Sequence, residues 1–352
     1  MKVGILGATG AVGQKFIRLL RDHPWFKIEA LGASERSAGK KYKDAANWIE
    51  DVNLPSSIAE MNVANCRPEE FKGVDFVFSG LDASVAGEIE EAFAKAGIPV
   101  ISNAKNFRMD ESVPLLVPEV NPDHIDLIKT QKFTSDGSGW IVTNPNCVAV
   151  PLSLALKPFH TAFGIETVIL TTMQAISGAG YPGVASLDIL GNVVPFISGE
   201  EPKIKPETQK LLSELTDGKL AEPKFDLSAT ATRVPTINGH MISATVKFKK
   251  SPSSFDEVKH AIQNWENPIT DLNLPSSPEK VIRLHEDNRF PQPRLHADQE
   301  GGMQLHMGRL RESEVLDISF IALAHNTIRG AAGGAILNAE LLKVKGFLDS
   351  LF

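Results

Sequence analysis

The first part of the chain alternates short apolar runs with segments of helical periodicity. Residues 2–6 (KVGIL) form an apolar run beside glycine, which is typical of a buried parallel strand, and apolar positions recur at helical spacing over residues 11–23. Another helical pattern covers residues 84–97, and further strands are predicted at 26–34, 74–81 and 98–102. Strands that alternate with helices imply right-handed crossovers and a parallel, Rossmann-type α/β sheet.

The pattern changes after residues 139–144. Longer strands with partial alternation follow at 165–175, 240–250 and 314–326, separated by proline-rich connections. Such strands favour an α+β domain in which one sheet face meets solvent or a partner. We therefore predict a nucleotide-type domain at 1–146, a second domain at 147–325, and a C-terminal helix within 326–352 that returns to the first domain.

Composition restricts the class of protein. The 352 residues are 42% hydrophobic and 22% charged with a net charge of −7, which is typical of a soluble globular protein and argues against nucleic acid or an anionic membrane as partner. No apolar run is long enough to span a membrane, and the N-terminus shows no signal-peptide cleavage site. The two cysteines form no disulfide framework, so we expect a reducing, cytoplasmic location.

A glycine-rich loop joins the first predicted strand to the first predicted helix. It reads G-x-x-G-x-x-G, and its candidate cofactor-binding residues are Gly7, Thr9, Gly10, Ala11, Val12 and Gly13. Glycines at such a turn let the backbone approach a pyrophosphate at the helix N-terminus. The spacing differs from the best-known dinucleotide fingerprint, G-x-G-x-x-G, and any tight turn between a strand and a helix could also require glycines.

The end of the second predicted strand indicates which dinucleotide binds. Ser34, Arg36 and Ser37, with Lys40, outnumber the acidic Glu35. An acidic residue here favours NAD, whereas an arginine accommodates the 2′-phosphate of NADP, so we expect NADP. The alternative is an ordinary solvated loop.

Cys147 lies where a strand-like segment meets a helix-like one. A thiol at a helix start is close to the positive end of the macrodipole and to several N–H groups, which favour a nucleophilic thiolate. The same N–H groups, with the Asn146 side chain, could stabilise an oxyanion. Alternatively, Cys147 is a small buried apolar residue. Cys66 lacks such a context, and we interpret it as structural or incidental. Among nine histidines His240 differs, because it and Arg233 flank a Pro/Gly turn that enters a strand.

Eight segments resemble, in the same order, those of aspartate-semialdehyde dehydrogenases of the archaeal and fungal branch. The resemblance covers the whole chain, and the segments are 7–13, 34–40, 102–108, 143–147, 173–183, 198–208, 233–240 and 326–342. It implies NADPH-dependent reduction of L-aspartyl-4-phosphate to L-aspartate-4-semialdehyde by a catalytic and dimerisation domain that follows the NADP-binding domain. It also implies a homodimer or homotetramer, and no metal is expected.

The resemblance assigns roles to individual residues. It makes Cys147 the nucleophile that forms a thioester, His240 the acid/base, and Gln174 the residue that orients the reacting carbonyl or water. Arg233 would hold the substrate carboxylate, and Glu200, with Glu201 as the adjacent alternative, would meet the amino group. The phosphate-binding set would be Arg108, Asn146 and Lys203. Ser177, Gly178 and Asn326 join the cofactor-binding residues, with Asn326 near the nicotinamide.

Other interpretations of these residues remain. Glu200, Glu201 and Lys203 could form a solvated helix start, and Arg108 could be a surface ion-pair residue. The chain has Val148 after the cysteine, where relatives often have serine or threonine. Two other functions stay open: a malonyl-CoA reductase on the same scaffold, and a nicotinamide-binding regulator without catalysis.

Overall fold

The computed structural model describes residues 1–349, in two compact units. The first unit contains Met1–Leu116, Asp123–Asn144 and the described part of Ala331–Phe352, and the second contains Val117–Pro122 and Pro145–Gly330. The domain boundaries drawn from the sequence stay a prediction. Residues 350–352 of the expected C-terminal helical segment lie outside the described residues.

The first unit is built on a six-stranded, fully parallel sheet. Its strands are β1 (Lys2–Leu6), β2 (Lys27–Ala33), β3 (Val63–Asn65), β4 (Phe76–Ser79), β5 (Val100–Ser102) and β6 (Ile141–Thr143). The spatial order β3-β2-β1-β4-β5-β6 is that of a Rossmann dinucleotide-binding sheet, which confirms the predicted fold class. The connecting helices are α1 (Ala11–Leu20), α2 (Tyr42–Ala45), α3 (Ser56–Ala59) and α4 (Ala83–Lys95).

The central strands of this sheet are apolar because both of their faces are covered. All four residues of β4 are buried, and so are Val3 and Ile5 of β1. Phe16 of α1 stacks on Phe78 of β4 with a centroid distance of 4.7 Å. Burial of such aromatic and aliphatic side chains stabilises the unit and fixes where α1 begins, directly after the glycine loop.

The second unit contains a mixed six-stranded sheet in the order β10-β7-β11-β14-β13-β12. The strands of this unit are β7 (Ile165–Gln174), β8 (Glu214–Thr216), β9 (Lys219–Ala221), β10 (Asp226–Arg233), β11 (His240–Phe248), β12 (Ile282–Leu284), β13 (Leu305–Glu312) and β14 (Ile318–Ala324), of which β8 and β9 form a separate hairpin. Its helices are α5 (Ala149–Phe163), α6 (Ser186–Ile189), α7 (Glu201–Leu211), α8 (Phe255–Gln263) and α9 (Pro293–His296). This unit has a mixed sheet, and its helices do not alternate regularly with the strands, which confirms the predicted α+β class.

The last described elements follow β14. A π-helical turn, Ile328–Ala332, leads into α10 (Gly333–Val344), which is almost entirely buried and packs beside β5 in the first unit. No helix within residues 1–349 combines the length and the apolar character that a membrane span requires.

Candidate active site

The topology of the mixed sheet brings three predicted site residues to one edge. Strand β7 ends at Gln174 and the parallel strand β10 ends at Arg233, and these two residues are register partners. Strand β11 runs in the opposite direction and begins at the same edge with His240, whose neighbour Met241 pairs with Met173 of β7. Gln174 lies 59 residues before Arg233 and 66 before His240 in the chain, yet strand pairing brings all three together at buried positions.

His240 is completely buried and has one polar contact. Its Nδ1 accepts a hydrogen bond of 3.0 Å from the backbone N–H of Ala175. Its Nε2 is buried and has no hydrogen-bond partner within the described part of the chain. Burial, with the nearby charges of Arg233 and His325, lowers the pKa of His240 to about 3, so the imidazole is neutral near pH 7.

Arg233 is a buried cation without a carboxylate partner. Only 7% of its surface is exposed, and its Nη1 donates to the carbonyl oxygen of Ala175 at 2.8 Å. No carboxylate within residues 1–349 lies at ion-pair distance from it. Burial lowers the pKa of Arg233, while the nearby charges of Cys147 and Glu200 act in the opposite direction. A buried guanidinium whose fork is not paired indicates a site for an anionic ligand.

Cys147 lies one residue before the N-cap of α5, because this helix begins at Ala149 with Val148 as its N-cap. The structure corrects one expectation about this turn: the N–H groups of Val148 and Ala149 are not available to a ligand. The side-chain Oδ1 of Asn146 accepts from them at 2.8 and 3.4 Å. Asn146 therefore caps the helix and fixes the turn that presents the thiol.

Glu200 forms the centre of a buried polar network. Its Oε1 accepts from Nδ2 of Asn146 at 2.6 Å and from Nε2 of Gln174 at 3.2 Å, and its Oε2 pairs with Lys203 at 3.2 Å. Only 8% of Glu200 is exposed, so this residue is not part of a solvated helix start. The adjacent Glu201 instead accepts a hydrogen bond from the backbone N–H of Ala231 in β10, which anchors α7 to the sheet.

The segment after β7 covers Arg233 and His240. It forms a short 3₁₀ turn, Ile176–Ala179. A Cβ atom at Gly178 would lie 3.0 Å from Nη1 of Arg233 and 3.2 Å from Nε2 of His240, so only glycine leaves this space open. The side chain of Asn326 donates to Ser177 Oγ at 2.9 Å and accepts from the Gly239 N–H at 2.9 Å, which holds the turn next to β11.

The glycine loop belongs to the first unit and has the geometry expected of a phosphate cradle. Gly7 has a φ of +75°, and a Cβ there would lie 2.7 Å from the carbonyl oxygen of Gly80. Gly10 is the N-cap of α1, and the helix has neither a side-chain cap nor an acidic residue in its first turn. Its first N–H groups are therefore suited to an anion. Thr9, Ala11, Val12 and the buried Gly13 complete the loop.

The loop after β2 carries the residues expected to read a 2′-phosphate. Ser34 and Arg36 are exposed, and the carbonyl oxygen of Ser34 accepts from the Ser37 N–H at 2.8 Å in a tight turn. Glu35 lies 3.6 Å from Arg67. No carboxylate in the described part of the chain lies at ion-pair distance from Arg36, so its charge is open to a ligand.

Arg108 also belongs to the first unit. It is buried, and its Nη2 donates to the carbonyl oxygen of Asn103 at 2.8 Å, which curls the loop after β5 around the guanidinium. Burial raises the pKa of the nearby Glu90, which accepts from Ser102 Oγ at 2.7 Å, and the Arg108 charge opposes this rise. This residue is therefore not a surface ion-pair residue.

Sequence reasoning missed several residues that build the site. The buried Glu207 accepts a 2.6 Å hydrogen bond from the Asn146 N–H, and it lies on the same face of α7 as Glu200, two turns away. That seven-residue spacing was the available signal. The buried pair of Glu119 and Arg329 precedes Gly330, whose Cα faces Cys147 so closely that an added Cβ would lie 2.8 Å from the cysteine Cβ. No local pattern signals that pair.

Comparisons with known proteins agree with this architecture. Residues 2–128 match the family model of the semialdehyde dehydrogenase NAD-binding domain, and residues 156–329 match that of the semialdehyde dehydrogenase dimerisation domain. The chain is 48% identical to aspartate-semialdehyde dehydrogenase of Schizosaccharomyces pombe over 99% of both chains, and 47% identical to that of Archaeoglobus fulgidus over 97% of both. It superimposes with a TM-score of 0.90 on the Candida albicans aspartate-semialdehyde dehydrogenase solved with NADP, at 44% identity over 98% of each chain.

The Rossmann sheet, the mixed second sheet and the two family models define a semialdehyde dehydrogenase. Its similarity to the fungal and archaeal enzymes extends over nearly the whole length. The chain belongs to the aspartate-semialdehyde dehydrogenase family, which confirms the resemblance seen in the sequence.

Proposed function

We propose that this chain catalyses the NADPH-dependent reductive dephosphorylation of L-aspartyl-4-phosphate to L-aspartate-4-semialdehyde, a step in the synthesis of lysine, threonine and methionine. One observation carries the proposal. Arg233 is buried without a carboxylate partner in the described residues, and it lies within electrostatic reach of Cys147 and Glu200. A substrate with one carboxylate, one ammonium group and a reactive acyl carbon matches these three groups.

The two charged ends of the amino acid select the substrate. The guanidinium of Arg233 can bind the α-carboxylate with a bidentate fork while Nη1 keeps its contact with Ala175. Glu200 meets the α-amino group, and Glu201 does not, because its carboxylate is bonded to the β10 backbone. Malonyl-CoA has no ammonium group to pair with Glu200, and the named relatives do not favour this alternative.

Cys147 performs the covalent step. Its thiolate attacks the acyl carbon, the bond from that carbon to the phosphate oxygen breaks, and phosphate leaves with the electron pair, so that a thioester remains on Cys147. Arg108, Asn146 and Lys203 are the residues that the family resemblance assigns to the phosphate. Gln174 orients the reacting carbonyl, and His240 acts on its oxygen. When bound, reduced NADP supplies the hydride that converts the thioester into the aldehyde.

The residues of the first unit fit that dinucleotide. The uncapped start of α1 at Gly10 suits the pyrophosphate, and Gly7 and Gly13 permit a turn that side chains at these two positions would block. Arg36, with Ser34 and Ser37, would hold the 2′-phosphate, because Glu35 lies near Arg67 and forms no ion pair with Arg36. Ser177, Gly178 and Asn326 would contact the nicotinamide end. The solved Candida albicans relative holds NADP, which supports this choice.

The enzyme is proposed to act as a homodimer or homotetramer in the cytoplasm. Strand β7 leaves Ile169 half exposed on one face, and Leu187, Leu190 and Phe196 are 93%, 70% and 62% exposed. Exposed apolar side chains of this kind favour association, and the matching family model is named a dimerisation domain. A monomeric mass by light scattering at micromolar concentration would refute it. A catalytic cysteine that must stay a free thiol suits a reducing compartment.

The reverse reaction tests the function directly. Purified protein, L-aspartate-4-semialdehyde and NADP should give nicotinamide reduction that depends on added phosphate. NAD in place of NADP, and malonyl-CoA with NADPH in the other direction, are the matched controls. A protein that binds NADP but shows no phosphate-dependent signal would contradict the proposal.

A further inference from the structure

We propose that His240 acts as a neutral imidazole that donates its Nε2–H to the acyl oxygen of the substrate, and that the backbone N–H of Ala175 fixes it in this form. The inference rests on the proposed function and concerns the chemistry at the same site. It differs from the acid–base role that the family resemblance implies, in which the histidine gains and loses a proton.

The contact at Nδ1 determines the tautomer. A backbone N–H can only donate, so the Nδ1 atom 3.0 Å from the Ala175 nitrogen must be an acceptor without a proton. The single proton of the neutral ring is then on Nε2. With the ring rotated by 180°, the Ala175 N–H would face a carbon atom and a buried donor would lose its partner.

Ala175 cannot turn away from this contact. It is fully buried and follows the last residue of β7, and its carbonyl oxygen accepts from Arg233 Nη1 at 2.8 Å and from the Gly178 N–H at 3.2 Å. An imidazolium would place its Nδ1–H against the Ala175 N–H, donor against donor, in a buried site. The charged or titratable groups that face His240 are Arg233 from β10 and His325 after β14, and both oppose a positive ring. The pKa of about 3 agrees with this geometry.

The other ring nitrogen points to the ligand. Nε2 is buried without a hydrogen-bond partner in residues 1–349, and a Cβ at Gly178 would lie 3.2 Å from it. A buried N–H donor without an acceptor is uncommon in folded proteins and indicates a binding role. Since Arg233 beside it is proposed to hold the α-carboxylate, an acyl oxygen of the same small substrate is a suitable acceptor.

The reaction balances without a proton on Nδ1. The Cys147 thiolate attacks, the C–O bond to phosphate breaks, and the phosphate takes a proton from solvent. Addition of a hydride to the thioester carbon gives a thiohemiacetal anion. The C–S bond of this anion then breaks. This step releases the aldehyde and regenerates the thiolate. Nε2–H stabilises the oxyanion at both stages and keeps its proton. Because the thiolate is regenerated, no base is needed in each cycle.

Nitrogen NMR tests the tautomer independently of activity. In enzyme labelled with ¹⁵N-histidine, the His240 signals, assigned by their absence in His240→Asn, should report a protonated Nε2 and an unprotonated Nδ1 from pH 5.5 to 8.5. An Nδ1–H tautomer, or an imidazolium that titrates near pH 7, would overturn the inference. If the wild-type enzyme shows no phosphate-dependent turnover, the proposed function fails while these spectra still decide the tautomer.

Two variants test the role of the donor. The amide oxygen of His240→Asn can replace Nδ1 as acceptor for Ala175, but its side chain ends short of Nε2, so kcat should fall by roughly 10²–10³-fold. The amide N–H of His240→Gln reaches the Nε2 position and cannot titrate. The kcat of this variant should therefore be at least about tenfold higher than that of His240→Asn, with the same pH profile as the wild-type enzyme. If both variants are equally inactive and the kcat of the wild-type enzyme shows an inflection near pH 6–7, His240 acts as an acid–base catalyst instead. NADP binding checks that both variants fold.

Discussion

The buried ion pair between Glu119 and Arg329 should stabilise the second unit only as a complete pair. Both carboxylate oxygens meet the guanidinium, at 2.8 Å to Nη1 and 2.5 Å to Nη2, and the side chains are at most 1% exposed. Removal of one partner leaves an uncompensated buried charge, which costs about 3–5 kcal/mol. Replacement of both by apolar residues of similar volume is often nearly neutral. We therefore expect Arg329→Met and Glu119→Leu to be strongly destabilising alone and much less so together.

Thermal unfolding gives a direct measure of this coupling. In a unit of about 150–250 residues, each kcal/mol lowers Tm by roughly 2–4 °C, so each single variant should lose roughly 6–20 °C. The double variant should regain more than half of that loss. The exposed pair of Lys247 and Glu166, at 2.7 Å in the same unit, is the matched control, and Lys247→Met should cost less than about 1 kcal/mol. Losses in the single variants no larger than in the control, or losses that add in the double variant, would refute the reasoning.

The same pair should affect catalysis through its neighbour. Gly330 follows Arg329 and packs directly against Cys147. A loosened segment would change the position of the thiol, and displacements of about 1 Å in reacting groups can cost 10²-fold in rate. Below their Tm, the single variants should therefore show a reduced kcat, whereas the double variant should recover activity along with stability.

Three further predictions follow from the site and from a buried histidine. Cys147→Ser should keep NADP binding by fluorescence titration but lose most phosphate-dependent turnover, because a serine hydroxyl is hardly ionised at neutral pH; retained turnover would exclude the thioester. Gly178→Ala places a Cβ 3.0 Å from both Arg233 Nη1 and His240 Cε1, so kcat/KM should fall by about tenfold or more without loss of Tm, and unchanged kinetics would contradict the assigned geometry. Burial and neighbouring histidines lower the pKa of His306 to about 3, so the unfolded chain binds a proton that the folded chain does not, and Tm should fall as pH drops below about 6.5; His306→Gln should flatten that decline.

The first unit could be predicted from sequence because its signals are local. The strand β1, the glycine loop and α1 follow one another in 20 residues, and burial of a parallel sheet requires continuous apolar runs. The second sheet was predicted less completely, since three of its six strands were recognised. Strand β10 reads Asp226–Arg233 (DLSATATR) and has few apolar side chains. Leu227, Ala229 and Ala231 alternate with polar residues there, but alanine is depleted in strands and the signal is weak. The segment is a strand because β7 offers a full parallel ladder, which lies far away in the chain.

At the candidate active site, the types of residue could be predicted from the sequence, but their geometry could not. The residue types at Cys147, Arg233 and His240 follow from what an acyl transfer with an anionic substrate requires, so the sequence could indicate them. The protonation state of His240 could not be predicted in this way, because it depends on a backbone N–H 65 residues away. Any residue at position 175 except proline supplies that N–H, so Ala175 carries no side-chain signal at all. The sequence therefore names the groups at this site, whereas the strand pairing that sets β7 beside β11 determines which proton His240 holds and how it can act.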